Sequence, residues 1–449
     1  MKVSNPVRVA VVLASLIVAV TAVVPGAAAF DSGEKQIQLI ELVGADDTRF
    51  VIDGRTYVGP ISFKLYNDGI ALSELASIEQ YLEGISEMPF SWPTQALQAQ
   101  AVAARTYLAR RLLPERKGDA AEHDYDICAT NRCQVYRGVS LVEGEYGERW
   151  KAAVRNTADE LILYEGRPIE AVFTSMVGSR SRANQDVWSS APVPYLQAVD
   201  SPEVGIAPYA EWTVEVSAAQ FVAILEAQGL DVGGSLESVS IEDPPEGDGR
   251  TTISVTTERG TDEILAPNLK GAFNRYGDEL FPGLLPIRLD DGKKLPEPLL
   301  SYTFDLEHVV SEPSSVELLL PASDRIGADV IVITGEGWGH GVGMSQWGAR
   351  IFADEGASYD EILSHYYSGL EPERVPDMVP DEVVVGLATD RAHVDVTIEG
   401  RAEILVNGVP SRSFISGGWM IRDSAIGLDL VPIDNPGAAS PISQRVWPR

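Results

Sequence analysis

Glu87 is the residue of this chain whose surroundings best suit acid–base chemistry. It lies in the segment 83–89, which leads into an alanine-rich stretch at residues 93–107. A carboxyl group held against an Ala-, Leu- and Val-rich helix loses hydration, which raises its pKa and makes it a proton donor near neutral pH. Cleavage of a glycosidic bond needs such a donor. A single glutamate at a helix end is also typical of a solvated cap, so the acid is a hypothesis that needs further residues.

Glycine occupies every second position from 335 to 343. In an extended chain alternate residues face opposite sides, so one face of this segment would be bare backbone that another backbone or a flat ligand can approach. The opposite face carries Glu336, Trp338, His340, Val342 and Met344. A tryptophan and a histidine together suit a carbohydrate, because the ring can stack on a sugar and the imidazole can bind hydroxyls. The alternative is a glycine-rich packing site with a core tryptophan.

A third segment, residues 173–188 followed by 194–202, is a polar loop rich in hydroxyl groups and donors and closed by aromatic residues. Loops of this composition line binding sites, but they also cover surfaces.

Other chemistries lack their motifs. The sequence has neither a G-x-S-x-G elbow nor an H-E-x-x-H zinc motif, and its glycine spacing matches no nucleotide-binding loop. The five histidines, at 123, 308, 340, 365 and 393, are scattered, which argues against a histidine-based metal centre.

The two cysteines, Cys128 and Cys133, allow two interpretations. They can form a short-loop disulfide in an exported protein. They can also bind a metal with His123 as a third ligand, but this set lacks a fourth group. The pattern therefore favours the disulfide and no cofactor, with zinc as the open alternative.

The charge balance limits the partners. Acidic residues outnumber basic residues 66 to 35, for a net charge of −31. Because phosphate groups would repel such a chain, we expect neither nucleic acid nor an anionic membrane as a partner.

The first residues are typical of a secretory signal peptide. Lys2 and Arg8 precede an apolar run at 9–24, and Ala27 to Ala29 satisfy the small-residue cleavage rule. We predict cleavage after Ala29, the alternative being an uncleaved anchor, for which the run is short. No later stretch is long and apolar enough to cross a bilayer, so the sequence predicts an extracytoplasmic protein.

Hydrophobic patterning predicts an α+β fold, with strands and helices mixed around one large core. Strands are expected within 36–75 and after 376, and a hairpin at 160–172. The longest predicted helix, 93–111, should be central, with Ser91 as its N-cap. The other predicted helices cover 75–86, 148–159, 218–228, 268–276, 346–355 and 359–367. The C-terminal strands form a small β-rich appendage that either packs on the core or stands as a separate module.

Three segments in this order resemble the stage II sporulation protein D (SpoIID/LytB) family. They are residues 79–89 with 92–93 and 99–107, residues 188–202, and residues 337–349 with 365–367. The resemblance runs from about Thr56 to Val375. It divides the chain into a leader (1–29), an N-terminal β extension (30–55), the SpoIID/LytB-like domain (56–375) and a β-rich C-terminal region (376–449).

The resemblance implies cleavage of peptidoglycan glycan strands between N-acetylmuramic acid and N-acetylglucosamine by a lytic transglycosylase. Glu87 matches the family's catalytic glutamate and would act first as acid and then as base, forming a 1,6-anhydro ring without water. The implied groove residues are Gln100, Arg105, Tyr107, Ser175, Tyr195, Trp338, His340 and Gln346. Arg105 would hold a substrate carboxylate, with a structural ion pair as the alternative.

The chain departs from the family pattern at two points. Arg132 stands before Cys133 where the family often has a histidine, which puts zinc in doubt and strengthens the disulfide interpretation. Residues 175–179 replace the family's Ser-Ser-Gly-Gly stretch, so the groove can differ in shape.

Two further functional hypotheses stay open. One is a glycan-binding module that stimulates a separate cell-wall amidase or hydrolase, as LytB-type relatives are described. The other is a conventional glycosidase that uses water.

Overall fold

A computed structural model describes residues 37–434 and 441, except for 46, 68, 86, 189, 243–250, 284, 286–293, 311–328, 377 and 426. The predicted leader and its cleavage site lie outside the described residues. None of the described helices is long and apolar enough to cross a membrane.

Helices occur along most of the described chain. They are α1 (Ile78–Glu83), α2 (Thr94–Leu112), α3 (Asp119–Glu122), α4 (Gly147–Asn156), α5 (Asn184–Trp188), α6 (Ala218–Gln228), α7 (Ala266–Leu280), α8 (Gln346–Asp354) and α9 (Tyr359–Tyr366).

The strands of the first half are β1 (Leu39–Gly44), β2 (Arg49–Ile52), β3 (Arg55–Tyr57), β4 (Ile61–Tyr66), β5 (Gly69–Ser77), β6 (Ile127–Cys128), β7 (Glu160–Tyr164), β8 (Arg167–Pro168), β9 (Phe173–Thr174) and β10 (Glu211–Ser217). Those of the second half are β11 (Leu236–Glu242), β12 (Thr252–Thr257), β13 (Gly260–Leu265), β14 (Phe304–Val310), β15 (Asp329–Glu336), β16 (Met344–Ser345), β17 (Pro372–Arg374), β18 (Glu382–Arg391), β19 (His393–Val406), β20 (Val409–Ser424) and β21 (Gly427–Pro432).

The largest sheet joins the two ends of the described chain. Its path runs β21-β20-β19-β1-β4-β5-β18-β6, with β2 paired to β19 and β3 paired to β2. Side chains alternate along β4, where Ile61, Phe63 and Leu65 are buried and their neighbours are not, as expected for a sheet with one face on a core. The α+β prediction is confirmed.

Strand pairing decides between the two alternatives left open for the C-terminal strands. β1 lies between β4 and β19, and β18 pairs with β5. These strands therefore pack on the core and do not form a separate module. The boundaries at 55/56 and 375/376 stay a prediction about sequence regions, although sheet pairing crosses both.

Helix α2 is buried on nearly every side, since 13 of its 19 residues are buried. Its alanines leave room for α4, α8, α9 and β7 to pack against it, as expected for a helix that is apolar or small all round. Its N-cap is Pro93 without a side-chain bond, so the prediction of Ser91 is wrong. Helix α1 begins at Ile78 and not at 75, because residues up to Ser77 stay extended to pair with β18.

A second, smaller hydrophobic cluster was not foreseen. It includes Val214, Phe221, Val255, Phe273 and Ile333, which come from two three-stranded sheets, β10-β15-β14 and β11-β12-β13, and from α6 and α7. Sequence patterning predicts each of these helices, but it does not tell which core they join.

Arg105 does not reach a groove. It is 2% exposed, and its guanidinium donates to the carbonyl oxygens of Thr157 at 2.7 Å and Val154 at 3.0 Å. These carbonyls end α4, where a cation also meets the negative end of the helix dipole. Glu79, 3.9 Å away, is its nearest ionic partner. The contacts support the structural alternative, because the guanidinium is buried and does not line the cleft where a substrate carboxylate would bind.

We predict that Arg105→Met lowers the free energy of unfolding by about 3 kcal/mol, since it leaves buried carbonyls without a charged donor. Arg110→Met, five residues later on α2 and 40% exposed at its side chain, should change it by no more than about 0.5 kcal/mol. Urea unfolding followed by tryptophan fluorescence compares the two. Equal losses in both variants would contradict the structural role of Arg105.

Candidate functional site

A cleft of about 1060 Å³ opens beside the C-terminal half of α2. Seven of the nine predicted site residues line it, and they are Glu87, Tyr107, Ser175, Tyr195, Trp338, His340 and Gln346. The fold therefore brings together residues that lie as much as 259 positions apart in the sequence. Arg105 and Gln100 do not line the cleft.

Glu87 is held by the loop that follows the second cysteine. The backbone N–H of Val135 donates to the Glu87 carboxylate at 2.6 Å, and Arg137 N–H donates to the Gly84 carbonyl at 2.9 Å. Burial raises the pKa of Glu87 above its ordinary value of 4.5, while the Val135 hydrogen bond and the charge of Arg137 act in the opposite direction. Since desolvation is the largest of these effects, the carboxyl retains its proton to higher pH than a solvated glutamate.

Gln100 and Tyr107 play different parts although they share one face of α2. Tyr107 lines the cleft, with Arg111 4.8 Å above its ring. Gln100 is fully buried behind Gln346, whose side-chain amide donates to it at 3.2 Å. Gln100 thus positions Gln346, and the prediction that Gln100 itself lines the groove is corrected: the intervening Gln346 separates it from the cleft.

The glycine-rich segment does not continue as a regular extended strand. Gly337, Gly339, Gly341 and Gly343 all have positive φ, so the segment winds after β15 ends at Glu336. A Cβ at Gly343 would lie 2.1 Å from the Val172 carbonyl, and one at Gly337 would lie 2.5 Å from that of Met176. The sequence left open whether another backbone or a flat ligand approaches the bare glycine face. The structure places another backbone there, that of residues 172–177.

The winding divides the five side chains that a strand would have placed together. Trp338 and His340 reach the cleft, whereas Val342 and Met344 are buried in the larger hydrophobic core. Glu336 accepts hydrogen bonds from the backbone and hydroxyl of Ser179 at 2.8 and 2.6 Å. Trp338 packs against the smaller cluster, so the segment connects the two cores at the cleft.

His340 is fixed in a neutral form. Its Nδ1 accepts from the Val342 N–H at 3.1 Å, and burial lowers its pKa to about 4. The imidazole is therefore a hydrogen-bonding group near neutral pH and not a cationic acid. Trp188, which is 43% exposed, lies 5.2 Å from it, ring centre to ring centre.

Ser175 directly follows β9 and Tyr195 follows α5, and both line the cleft. The Ser175 carbonyl accepts from the Trp347 N–H at 3.1 Å, which ties this residue to α8. The Tyr195 hydroxyl accepts from the Glu170 N–H at 3.3 Å, and its ring lies 5.4 Å from that of Tyr164.

Sequence reasoning missed the arginines of the cleft, which are Arg110, Arg111, Arg132 and Arg137. Arg110 and Arg111 follow Tyr107 by three and four positions on one helix, and this spacing could have placed them on the same face. They flank Glu170, at 3.8 and 3.0 Å. In a chain of net charge −31, this concentration of guanidinium groups is a local exception.

Glu297 was also missed. Its carboxylate accepts from Lys270 Nζ at 2.6 Å, Asn274 Nδ2 at 2.5 Å and Trp338 Nε1 at 3.2 Å. This network orients the Trp338 indole at the cleft. No sequence signal connects Glu297 with Trp338, because the contact depends on α7 and the smaller core.

Cys128 and Cys133 are bonded to each other, with their Cα atoms 5.6 Å apart. His123 lies with its ring 4.8 Å from that of Tyr66. Zinc needs deprotonated thiols, so the bonded pair does not fit the metal. Within the described part of the chain, no cluster of three or more His, Cys, Asp or Glu residues could hold a metal ion.

We predict that Arg137→Gln raises the pKa of Glu87 further, because it removes a cation that favours the ionised carboxylate. Carboxyl ¹³C NMR titration measures this, with the Glu87 resonance identified by its loss in Glu87→Gln. Arg132→Gln removes a cleft arginine that is 71% exposed at its side chain and does not perturb Glu87. A fall in the Glu87 pKa, or an equal rise in both variants, would contradict the assignment.

Comparison with known proteins places the cleft in a family context. The sequence model of the SpoIID family (stage II sporulation protein) matches residues 66–164, which include Glu87, α2 and both cysteines. The chain is 27% identical over 321 residues to stage II sporulation protein D of Bacillus subtilis (strain 168), covering 70% of this chain and 79% of that protein. Stage II sporulation protein D of Bacillus amyloliquefaciens is 27% identical over 326 residues, which cover 70% of this chain and 78% of the relative.

A further relative carries a different description. The amidase enhancer of Bacillus subtilis (strain 168) is 28% identical over 344 residues, which are 72% of this chain and 44% of that protein. Residues 66–164 thus carry a domain that matches the SpoIID family, and the cleft is built in part on it.

Proposed function

We propose that this protein is an exported lytic transglycosylase that cleaves peptidoglycan glycan strands at the bacterial cell wall. The observation that carries the proposal is Glu87, a half-buried carboxyl whose pKa is raised by burial and which faces a large cleft. The matched SpoIID domain and the similarity to sporulation and amidase-related proteins support a role at the cell wall.

The other carboxylates of the cleft are engaged by cations. Glu170 lies 3.0 Å from Arg111, and Glu297 lies 2.6 Å from Lys270. A two-carboxylate hydrolase needs a second group free to activate water or attack the sugar. Because these two groups have structural partners, the site favours a mechanism in which one carboxyl acts twice.

In the proposed reaction the Glu87 carboxyl donates its proton to the glycosidic oxygen, and the bond from C1 of N-acetylmuramic acid to that oxygen breaks. The C6 hydroxyl of the same sugar then attacks C1, and its proton returns to the Glu87 carboxylate. The products are a 1,6-anhydro end and a free hydroxyl on N-acetylglucosamine. No water is consumed, and Glu87 ends protonated as it began.

The rest of the cleft suits binding. Trp338 and Trp188 offer aromatic faces, and His340 lies beside the Trp188 ring. The arginines suit the lactyl carboxylate of muramic acid or the carboxylates of a stem peptide, which would compete with Glu170 for Arg110 and Arg111 and with Asp119 for Arg132. Tyr107, Tyr195, Ser175 and Gln346 add hydroxyl and amide groups along the same walls.

The second candidate is a glycan-binding module without catalysis that stimulates a separate cell-wall amidase. The similarity to the amidase enhancer favours it, since a binding protein can keep the same cleft. In either case the substrate lies outside the cytoplasm, so we propose export through the N-terminal leader, with glycan strands as the partner.

We predict that the purified protein converts peptide-free glycan strands to fragments with anhydro-muramic ends, as identified by mass spectrometry. Glu87→Gln should reduce the rate by about 10²- to 10⁴-fold, the usual contribution of a general acid–base group. Glu148→Gln, on an exposed glutamate of α4 that is 77% exposed at its side chain, should cleave at the wild-type rate.

Each of the other outcomes would indicate a different function or mechanism for this protein. Reducing muramic ends would indicate a conventional glycosidase that uses water. Strands that bind to wild type and Glu87→Gln alike but stay intact would favour the activator. Unchanged cleavage by Glu87→Gln would remove Glu87 from the mechanism.

A further inference from the structure

A second depression, of about 470 Å³, shares Glu87 with the cleft and no other lining residue. Its walls come from the segment after α1 and from the turn before α4. They consist of Glu87, Met88, Pro89, Phe90, Ser91, Leu141, Gly144, Glu145 and Tyr146. A volume of this order holds a ligand of one or two sugar rings.

The walls of this depression are built before any ligand binds. The Phe90 ring stacks on Trp150, nearly parallel and 5.4 Å away. The turn is closed by hydrogen bonds from Gly144 to Leu141 and from Gly147 to Gly144, both at 3.1 Å. Yet Leu141 and Tyr146 remain 39% and 43% exposed. Apolar side chains exposed at a preformed depression indicate a surface that becomes covered.

The two sides of Glu87 differ in charge. The cleft is lined by four arginines together with Glu170 and Glu297. The described lining of the depression includes Glu145 and no cationic side chain, although Arg149 donates to the Ser91 carbonyl of its wall. An acidic sugar is therefore attracted more strongly to the cleft than to the depression. A polymer cut at Glu87 must extend on both sides of that residue, and the two sugars at the proposed bond differ in the same way, one with a lactyl carboxylate and one without.

We propose that the depression is the subsite for the leaving sugar, the uncharged N-acetylglucosamine, and that the arginine-lined cleft receives the muramic acid on which the anhydro ring forms. The inference rests on the proposed function and adds to it the direction of the strand. The Tyr146 ring covers one face of the leaving sugar, and Leu141 packs against its acetamido methyl group.

The test uses two matched probes, the methyl glycosides of N-acetylglucosamine and N-acetylmuramic acid, which differ only by the lactyl group. NMR titration measures their affinity for Glu87→Gln, which binds without turnover. Adding Tyr146→Ala should weaken the uncharged glycoside about tenfold and leave the acidic one unchanged. Adding Arg111→Gln should do the reverse. Phe414→Ala, on an aromatic residue of β20 that is 51% exposed, should alter neither.

The subsite is overturned if Tyr146→Ala binds the uncharged glycoside as Phe414→Ala does, or if Glu87→Gln binds no uncharged glycoside at all. Leu141→Ala serves as a second variant, with the same expected direction, should Tyr146→Ala fail to fold. Failure of the proposed function alone gives a different result. The wild-type protein would then leave glycan strands uncut, while Tyr146→Ala would still weaken the uncharged glycoside and Arg111→Gln the acidic one.

Discussion

The close packing of other elements around α2 is the constraint on which the site depends. Its alanines make the helix narrow enough for α4, α8, α9 and β7 to approach it together. Thr106 on the same helix accepts a hydrogen bond from the Ile162 N–H at 3.0 Å, which fixes β7. Arg105 donates hydrogen bonds to the carbonyl groups at the C-terminal end of α4. Tyr107, Arg110 and Arg111 follow on the same tightly packed helix and form one wall of the cleft.

The opposite wall depends on a close approach of two backbones. Glycines of the segment 337–343 let residues 172–177 come within van der Waals contact. Glu203, which is fully buried, accepts from the N–H groups of Val177 and Gly178 at 2.8 and 3.1 Å and so anchors the same loop from behind. Trp338 and His340 are placed by this arrangement, between the larger core and the smaller one.

Burial alone does not make a carboxyl into an acid catalyst. Glu74 is 1% exposed, and burial raises its pKa as it does for Glu87. Glu74, however, accepts from Tyr136 Oη at 2.7 Å and from the N–H groups of Gly59 and Val58 at 2.8 and 3.1 Å. Its bonding capacity is used within the core. Glu87 has one backbone donor and an open cleft beside it, so its proton can reach a ligand.

The local sequence determined the individual helices and strands of this protein. Alanine content predicted α2, hydrophobic patterning predicted β4 and α9, and a segment rich in alternating glycine marked a special backbone. These signals act within a few residues. Glu87 could be singled out because the apolar helix that desolvates it follows directly in the chain, and the order of three segments carried the family resemblance.

The tertiary structure decided which of these elements pack against each other. Arg105 and Tyr107 differ by two positions on α2 and therefore face apart, one into the core and one into the cleft. Glu297 and the C-terminal strands find their partners across long stretches of chain, where no periodicity relates them. The winding of the glycine segment followed from contact with residues 172–177. Positive φ is open to glycine in any sequence, but only the packed neighbour required it here.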